Sequence, residues 1–354
     1  MDKNAEWNQQ LNRSEQYARM IERIFQNAIK EACFAIYKQK YDPKKPFKFE
    51  DFPGVTDRVN RLFSKLMKDM RLVIITGTQR EWENANAYND IVVDQVLKTL
   101  NLPEEIVSKY KNRNLDALKT FQDRKIKGMN LSGRVWDLKE QLKQELELAI
   151  DLGLGEAKSA ADLSMDVRQY LNEPNKLFRR VRNKRGQLQL SKAAKAYNPG
   201  QGVYRSSYKN AMRLTRTEIN AAYKTADFER WQQMDFVVGF EVRRSNNLTD
   251  CPICDAFVGR YPKTYKFINV HPHCRCICIA IMATQKEMDD HFDKVLAGEE
   301  SELKSAYEVK QMPKGWKDYI IDNKDRILRA KQPPYWVADN FKGGKLTGGL
   351  NIGI

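Results

Sequence analysis

Residues 251–278 of this 354-residue chain hold five of its six cysteines and two of its three histidines. They run as Cys251-Pro252-Ile253-Cys254, a connector through Gly259 and Pro262, and His271-Pro272-His273-Cys274-Arg275-Cys276-Ile277-Cys278. A Cys-x-x-Cys pair, a connector of roughly twenty residues and a second Cys/His cluster is the spacing of a tetrahedral Zn²⁺ site. Two residues between thiolates let both face one ion, and the connector brings the chain back with the remaining ligands. Cys251 and Cys254 are the firm half. The other half comes from His271, His273, Cys274 and Cys276, with His271 and Cys274 preferred and Cys276 the rival for either place. The segment Cys276–Ile281 alternates like a strand, so Cys278 reads as packing. Cys-Pro-Ile-Cys also has the spacing of a redox pair, but no βαβ pattern surrounds it. Four protein ligands leave no open position, so the expected Zn²⁺ is structural and no residue is assigned a catalytic role.

Long helices are expected to carry this site. Residues 4–40 place Tyr17, Ile21, Ile24, Phe25, Ala28, Ile29, Ala32 and Ile36 on one apolar stripe, with Cys33 beside it. A turn-rich connector leads to a helix over Val55–Met70 that is expected to end near Thr76-Gly77, and a third follows from Thr78. Leu131–Ile150 reads as a helix stopping at Gly153-Leu154-Gly155, and Ser159-Ala160-Ala161-Asp162 as a cap opening the next. Another spans about 204–234. Residues 236–244 read as a strand, paired with 276–283. The predicted fold is mainly α, with long helices in the N-terminal part and a small zinc-stapled α+β domain in the C-terminal part. Three regions are expected: 1–128, 129–283 and 284–354. The Gly343-Gly344 and Gly348-Gly349 tail reads as a mobile end or a strand added to a partner.

The formal charge of +15 is unevenly spread. From Pro174 to Thr217 there is no acidic residue, while Lys176, Arg179, Arg180, Arg182, Lys184, Arg185, Lys192, Lys195, Arg205, Lys209, Arg213 and Arg216 are basic. Such a stretch attracts polyanions. Arg179, Arg180, Arg182, Lys184, Arg185, Lys192 and Lys195 are the candidate contacts to nucleic-acid phosphate, sequence-blind and salt-sensitive. An acidic protein partner is the competing reading. No eighteen-residue apolar run and no signal-peptide core occur, so no membrane association and a reducing cytoplasm are expected.

Leu131-Ser-Gly-Arg-Val-Trp136, Gly153-Leu-Gly155 with Ser159, Arg213-Leu-Thr-Arg-Thr-Glu218, Trp231, Asp250-Cys-Pro-Ile-Cys254, Gly259 and His271-Pro-His-Cys-Arg-Cys276 occur in an order and spacing that resembles the phage Mu F-like family of minor head, or head-morphogenesis, proteins. The resemblance covers about 131–283. Pro313-x-x-Trp316 and Pro334-Tyr-Trp336 look like an extension found in some members. His273 departs from the family pattern, which commonly has a small polar residue there. The resemblance implies a virion component of few copies in the head interior or at the portal vertex, assembled in the host cytoplasm. Its implied partners are the portal protein, scaffold or major capsid protein, and packaged DNA.

Two enzyme readings compete. Arg216-Thr217-Glu218 superficially suggests an ADP-ribosyltransferase, but residues two apart on a helix point to different sides. Arg216, Glu218 and Arg243 are therefore expected in structural ion pairs, with Glu218 meeting Arg213 or Arg243. A zinc-dependent nuclease would need an open metal position, which a surplus of cysteines opposes. No Walker A loop or dinucleotide-binding glycine fingerprint is present.

Overall fold

The computed structural model describes residues 2–37, 39, 47–98, 100, 102–154, 159–174, 180–190, 197, 203–245, 251–330 and 332–350. The fold is mainly helical with a small β region late in the chain. Its contacts divide it into two compact units whose limits fall at 14/15, 76/77, 123/124 and 216/217.

One unit comprises residues 15–76 and 124–216. It takes most of α1 (Lys3–Tyr37) and the first half of α2 (Pro53–Leu97), together with α5 (Leu131–Leu154) and α6 (Ala160–Asn172). The α1 stripe Ile21, Phe25, Ile29 and Ile36 meets Val59, Phe63, Met67 and Met70 of α2 and Val135, Leu142, Leu146 and Ile150 of α5. Cys33 is fully buried there, and desolvation pushes its thiol up to about 12, so it is inert packing. Ser159 caps α6 by accepting from the Asp162 amide at 3.1 Å. The Asp162 carboxylate takes the Ser159 hydroxyl at 2.6 Å instead of the second amide that a full capping box would supply. A short hairpin, β1 (Arg180–Arg182) with β2 (Leu188–Leu190), also belongs to this unit.

The expected break at Thr76-Gly77 does not occur: α2 is continuous over 45 residues. A single helical glycine costs only about 1 kcal/mol relative to Ala. Burial of Ile74, Trp82 and Ala85 on either side outweighs that cost.

The other unit holds residues 1–14, 77–123 and 217–354. Its spine is α7 (Ser207–Gln233), of which every residue from 217 to 227 is buried. The sequence suggested one apolar side; the helix is enclosed on all sides. Around it lie the start of α1, the end of α2, α3 (Glu104–Tyr110) and α4 (Leu115–Asp123). A three-stranded antiparallel sheet has the order β4 (Gly259–Tyr261), β3 (Val237–Arg243), β5 (Ile277–Met282). Strands β3 and β5 match the expected pair, and β4 is additional. The alternation holds over Cys276–Ala280, with Cys278 in the cluster of Val242 and Tyr261 and Ile277 and Ile279 in that of Trp7, Trp82 and Tyr223; Ile281 joins the Cys278 side, opposite the register shift between Val237 and Gly239.

The late residues form part of this core. Helices α9 (Gln285–Leu296), α10 (Lys314–Leu328) and α11 (Tyr335–Asn340) follow the sheet. Trp316 donates to the Tyr265 hydroxyl at 3.0 Å, Trp336 packs edge-on against Phe257, and Asn340 bonds both the amide and the carbonyl of Lys266. The glycine tail folds back through a bridge between Phe341 and Leu350 instead of extending away; residues 351–354 lie outside the described residues.

Candidate metal centre

Two tight turns bring the sulfurs together. Cys251 stands at the N-cap of α8 (Pro252–Ala256), with Pro252 supplying the preset φ of a first helical position. Cys254 lies on the single turn that follows, closed by the Asp255 amide on the Cys251 carbonyl at 3.0 Å. The chain then crosses the sheet as β4. This passage demands Gly259: its φ is +141°, and a Cβ there would lie 2.8 Å from Pro313. The second turn closes with the Cys274 amide on the His271 carbonyl at 3.2 Å, and His273 takes φ +61° within it.

His271 Nε2 lies 3.2 Å from Cys251 Sγ and 3.0 Å from Cys254 Sγ, and Cys254 Sγ lies 4.0 Å from Cys274 Sγ. Ligand atoms on one tetrahedral Zn²⁺ stand about 3.8 Å apart for S–S and about 3.5 Å for S–N, given the usual bond lengths. The His271–Cys251 and Cys254–Cys274 separations fall within a few tenths of an ångström of these values, and His271–Cys254 is about 0.5 Å shorter, while Cys251, Cys254, His271 and Cys274 do not form one mutually close set. Two groups with metal-ligand spacing result, Cys251/Cys254/His271 and Cys254/Cys274/Cys276, sharing Cys254. The imidazole is oriented for ligation. Its Nδ1 is 2.8 Å from the Pro272 carbonyl, which can only accept, so Nδ1 carries the proton and Nε2 offers its lone pair to the sulfur side.

The sulfurs are strongly coupled. Cys274 is held well below the usual thiol range, first by hydrogen bonds from Cys254 and then Cys276, with nearby Lys224 adding to the effect. Cys254 is pushed far up because it donates to Cys274, with Cys276 and burial adding. At Cys276 the contact with Cys254 pulls down, but Cys274 and burial carry the thiol above its ordinary value. Thiolates are the ligating form of cysteine, so a cation taken up by this cluster would release protons. Cys278 belongs to neither group and is pushed up to about 12 by burial.

The remaining candidates are distributed as follows. His273 turns away from the sulfurs: its ring accepts from Arg275 Nε at 3.2 Å, and its amide donates to Thr217 Oγ1 at 2.8 Å. Arg216 forms a two-pronged pair with Glu15 at 2.8 and 2.7 Å, and Arg243 pairs with Glu241 on its own strand. Arg216 and Arg243 thus each stand in an ion pair, with a carboxylate of α1 and of β3 respectively. Glu218 is buried. Of the basic candidates, Arg182, Lys184 and Arg185 are exposed at the β1–β2 hairpin, where Asn183 Oδ1 organises the tip by accepting the amides of Arg185 and Gln187. Arg180 lies in β1, whereas Arg179, Lys192 and Lys195 lie outside the described residues, as does Asp250.

Sequence reasoning missed three supports of the centre. Thr217 anchors the second turn, Trp7 donates to the Arg275 carbonyl at 3.1 Å, and Lys224 reaches the Cys274 sulfur at 4.0 Å. Lys224 stands among many polar residues along α7, so nothing in the sequence singled it out. Among the described residues no helix is long and apolar enough to cross a membrane. Comparisons with protein families, curated proteins and solved structures find no match to this chain.

Proposed function

We propose that this chain is a non-enzymatic minor head protein of a tailed phage, in which a structural Zn²⁺ held by Cys251, Cys254, His271 and Cys274 braces the sheet and an exposed basic segment meets packaged DNA. The observation that carries the metal half is the convergence of the 251–254 and 271–274 turns on Cys254 with near-tetrahedral spacing. A full set of protein ligands holds an ion without a position for water, which suits a brace and opposes hydrolysis. The phage half is supported by the ordered motifs of residues 131–276 and by their structural use. Thr217 of the Arg-Thr-Glu motif secures the metal turn, Trp231 donates to Asn89 at 3.1 Å, and Gly259 clears Pro313. None of these side chains is placed as an acid, base or nucleophile. The portal protein is the proposed docking partner, with scaffold or major capsid protein as further contacts.

Two measurements test this reading. Mass spectrometry of purified phage heads should find the chain at few copies, co-purifying with the portal ring, and its absence from particles would overturn the virion assignment. Purified protein should contain about one zinc per chain and leave DNA and NAD⁺ intact. Turnover of either substrate, abolished by a ligand substitution, would replace the structural reading with an enzymatic one.

A further inference from the structure

Helix α2 carries a charged groove that neither the cysteine cluster nor the β1–β2 hairpin explains. Arg58, Arg61, Lys65 and Lys68 recur at intervals of three and four, so they share one exposed strip about 80° wide. Along it runs an open groove of about 470 Å³, lined by the last three of these cations with Asp57, Asn60, Ser64 and Asp69 and by no apolar residue. Lys139 of α5 reaches this lining: its ammonium is 3.4 Å from Ser64 Oγ and lies over the Trp136 ring at 5.3 Å. Five cations, Arg58 and Lys139 included, thus stand against two carboxylates. Asp69 is spent on Lys65 in an i,i+4 pair, and Asp137 and Glu140 of α5 do not line the groove. Among the described residues Arg58, Arg61, Lys68 and Lys139 have no carboxylate within ion-pairing distance.

The lining indicates the ligand. Arginine and lysine interleaved with Asn and Ser form the donor set that binds phosphate oxygens. A protein partner would instead need apolar or aromatic anchors at the centre of its contact, and none lines this groove. The strip also has the length of a nucleic-acid contact. Arg58 and Lys68 are ten residues apart, about 15 Å of helix. One strand of duplex DNA presents a phosphate about every 3.4 Å of axis, so the strip can follow about four of them. We propose that the α2 groove is a phosphate-binding face for double-stranded DNA, distant in sequence from the hairpin and carried by the same unit. This rests on the reading that the chain meets packaged DNA and extends it from one exposed hairpin to two surfaces. Contacts limited to phosphate carry no sequence information, so the face is blind to base order. Arg58, Arg61 and Lys68 supply most of the counterion release, because Lys65 keeps its carboxylate partner.

The test is binding of a fluorescent duplex of roughly 30 base pairs and arbitrary sequence to the full chain, followed by anisotropy from about 50 to 200 mM salt. Arg58→Gln/Arg61→Gln/Lys68→Gln is compared with wild type and with Lys314→Gln/Lys317→Gln/Lys324→Gln, which removes the same charge from exposed positions of α10. Glutamine has nearly the helix propensity of the residues it replaces, so both variants should fold. At roughly 0.9 per phosphate contact, the α2 variant should lower the slope of log affinity against log salt by about 2.7. Its affinity should then fall about 40-fold less than that of wild type across the salt range. The α10 variant should change the slope by less than about 1. In wild type the duplex should also protect Lys68 from acetylation while leaving Lys317 reactive, a readout that needs no substitution. Three results would each overturn the inference while leaving the hairpin reading standing: an unchanged slope in the α2 variant, equal losses in the two variants, or Lys68 acetylated at the same rate with and without DNA. Wild type that binds no duplex overturns both. An α2 variant that keeps duplex binding but no longer binds the portal protein gives the groove to an acidic protein partner instead.

Discussion

Replacing Cys254 with Ser is the sharpest perturbation of the metal centre, because Cys254 alone belongs to both groups of candidate ligands. Serine preserves size and removes the thiolate, so one substitution breaks the Cys251/His271 side and the Cys274/Cys276 side together. Structural zinc sites bind with apparent free energies of about 10–16 kcal/mol at neutral pH. With free zinc buffered at about 1,000 times the dissociation constant, the ion adds about 4 kcal/mol to the stability of the state that holds it. At about 2–4 °C per kcal/mol for a body of this size, chelation of wild type should lower its melting temperature by roughly 8–16 °C. The assay is a thermal melt with and without chelator, alongside metal content by elemental analysis. Cys254→Ser should melt low, contain no zinc and ignore the chelator. Cys33→Ser, altered in the core of the other unit, should keep both the zinc and the chelator response. Wild type that is metal-free as purified from zinc-supplemented medium and melts identically with chelator would refute the reasoning.

Three further outcomes follow from other parts of the molecule. Replacing Arg182, Lys184 and Arg185 with Ala should weaken DNA binding without sequence preference and lower the slope of log affinity against log salt by about 3, at roughly 0.9 per phosphate contact; an unchanged slope would remove the hairpin from the interface. Glu145 is 1% exposed and accepts from the Ser207 amide, the Ser207 hydroxyl at 2.7 Å, Gln141 and Tyr197. Glu145→Ala should therefore cost about 3–5 kcal/mol in urea unfolding, since it strands several buried donors at the start of α7, and a loss below about 1 kcal/mol would contradict that role. Glu287 closes the capping box of α9 and accepts from the Ala306 and Thr284 amides and the Ser305 hydroxyl, which lowers its pKa from 4.5 to about 2. A depressed carboxylate stabilises the fold above its unfolded pKa and loses that contribution as pH falls through the folded one. The stability gap between wild type and Glu287→Gln should thus be full at pH 7 and close between about pH 4.5 and 2; a gap independent of pH would exclude the carboxylate as its cause.

What could be read from the chain follows from how local each signal is. Cys251 and Cys254 are three residues apart, and the turn that joins them is encoded by Pro252 between them. The α1 stripe and the β3–β5 pair likewise announce themselves by periodicity within a dozen residues. The fourth ligand was ambiguous because His271, His273, Cys274 and Cys276 have equal chemical claims. The turn, with His273 at φ +61° and bonded to Thr217, sets only His273 apart; His271, Cys274 and Cys276 all stay grouped with Cys254. The continuity of α2 through Gly77 depends on burial of Ile74 and Trp82, which no propensity scale contains. Lys224 was illegible for the same reason: its partners are 217, 45, 43 and 50 residues away in sequence, at Trp7, Asn269, Phe267 and Cys274.

The enclosure of α7 explains why so many polar residues sit on a buried helix. A helix covered on every side cannot turn a polar face to water, so each polar side chain must find a protein partner or carry a desolvation cost. Along α7 these partners fall in two rows seven residues apart, which is two helical turns. Thr217 and Lys224 face the cysteine turn; Asn220 and Asp227 face α1, bonding Gln10 at 2.9 Å and Lys3 at 2.8 Å. Arg230 extends the network to Asp90, Asn86 and the Tyr110 carbonyl. Hydrophobic burial alone would let α7 slide or rotate among its neighbours at small cost. Directional bonds on two faces allow one register, and that register carries the ammonium to within 4.0 Å of the Cys274 sulfur. The cysteine cluster and the helical core thus specify each other through one helix, within a unit assembled from three separate stretches of chain.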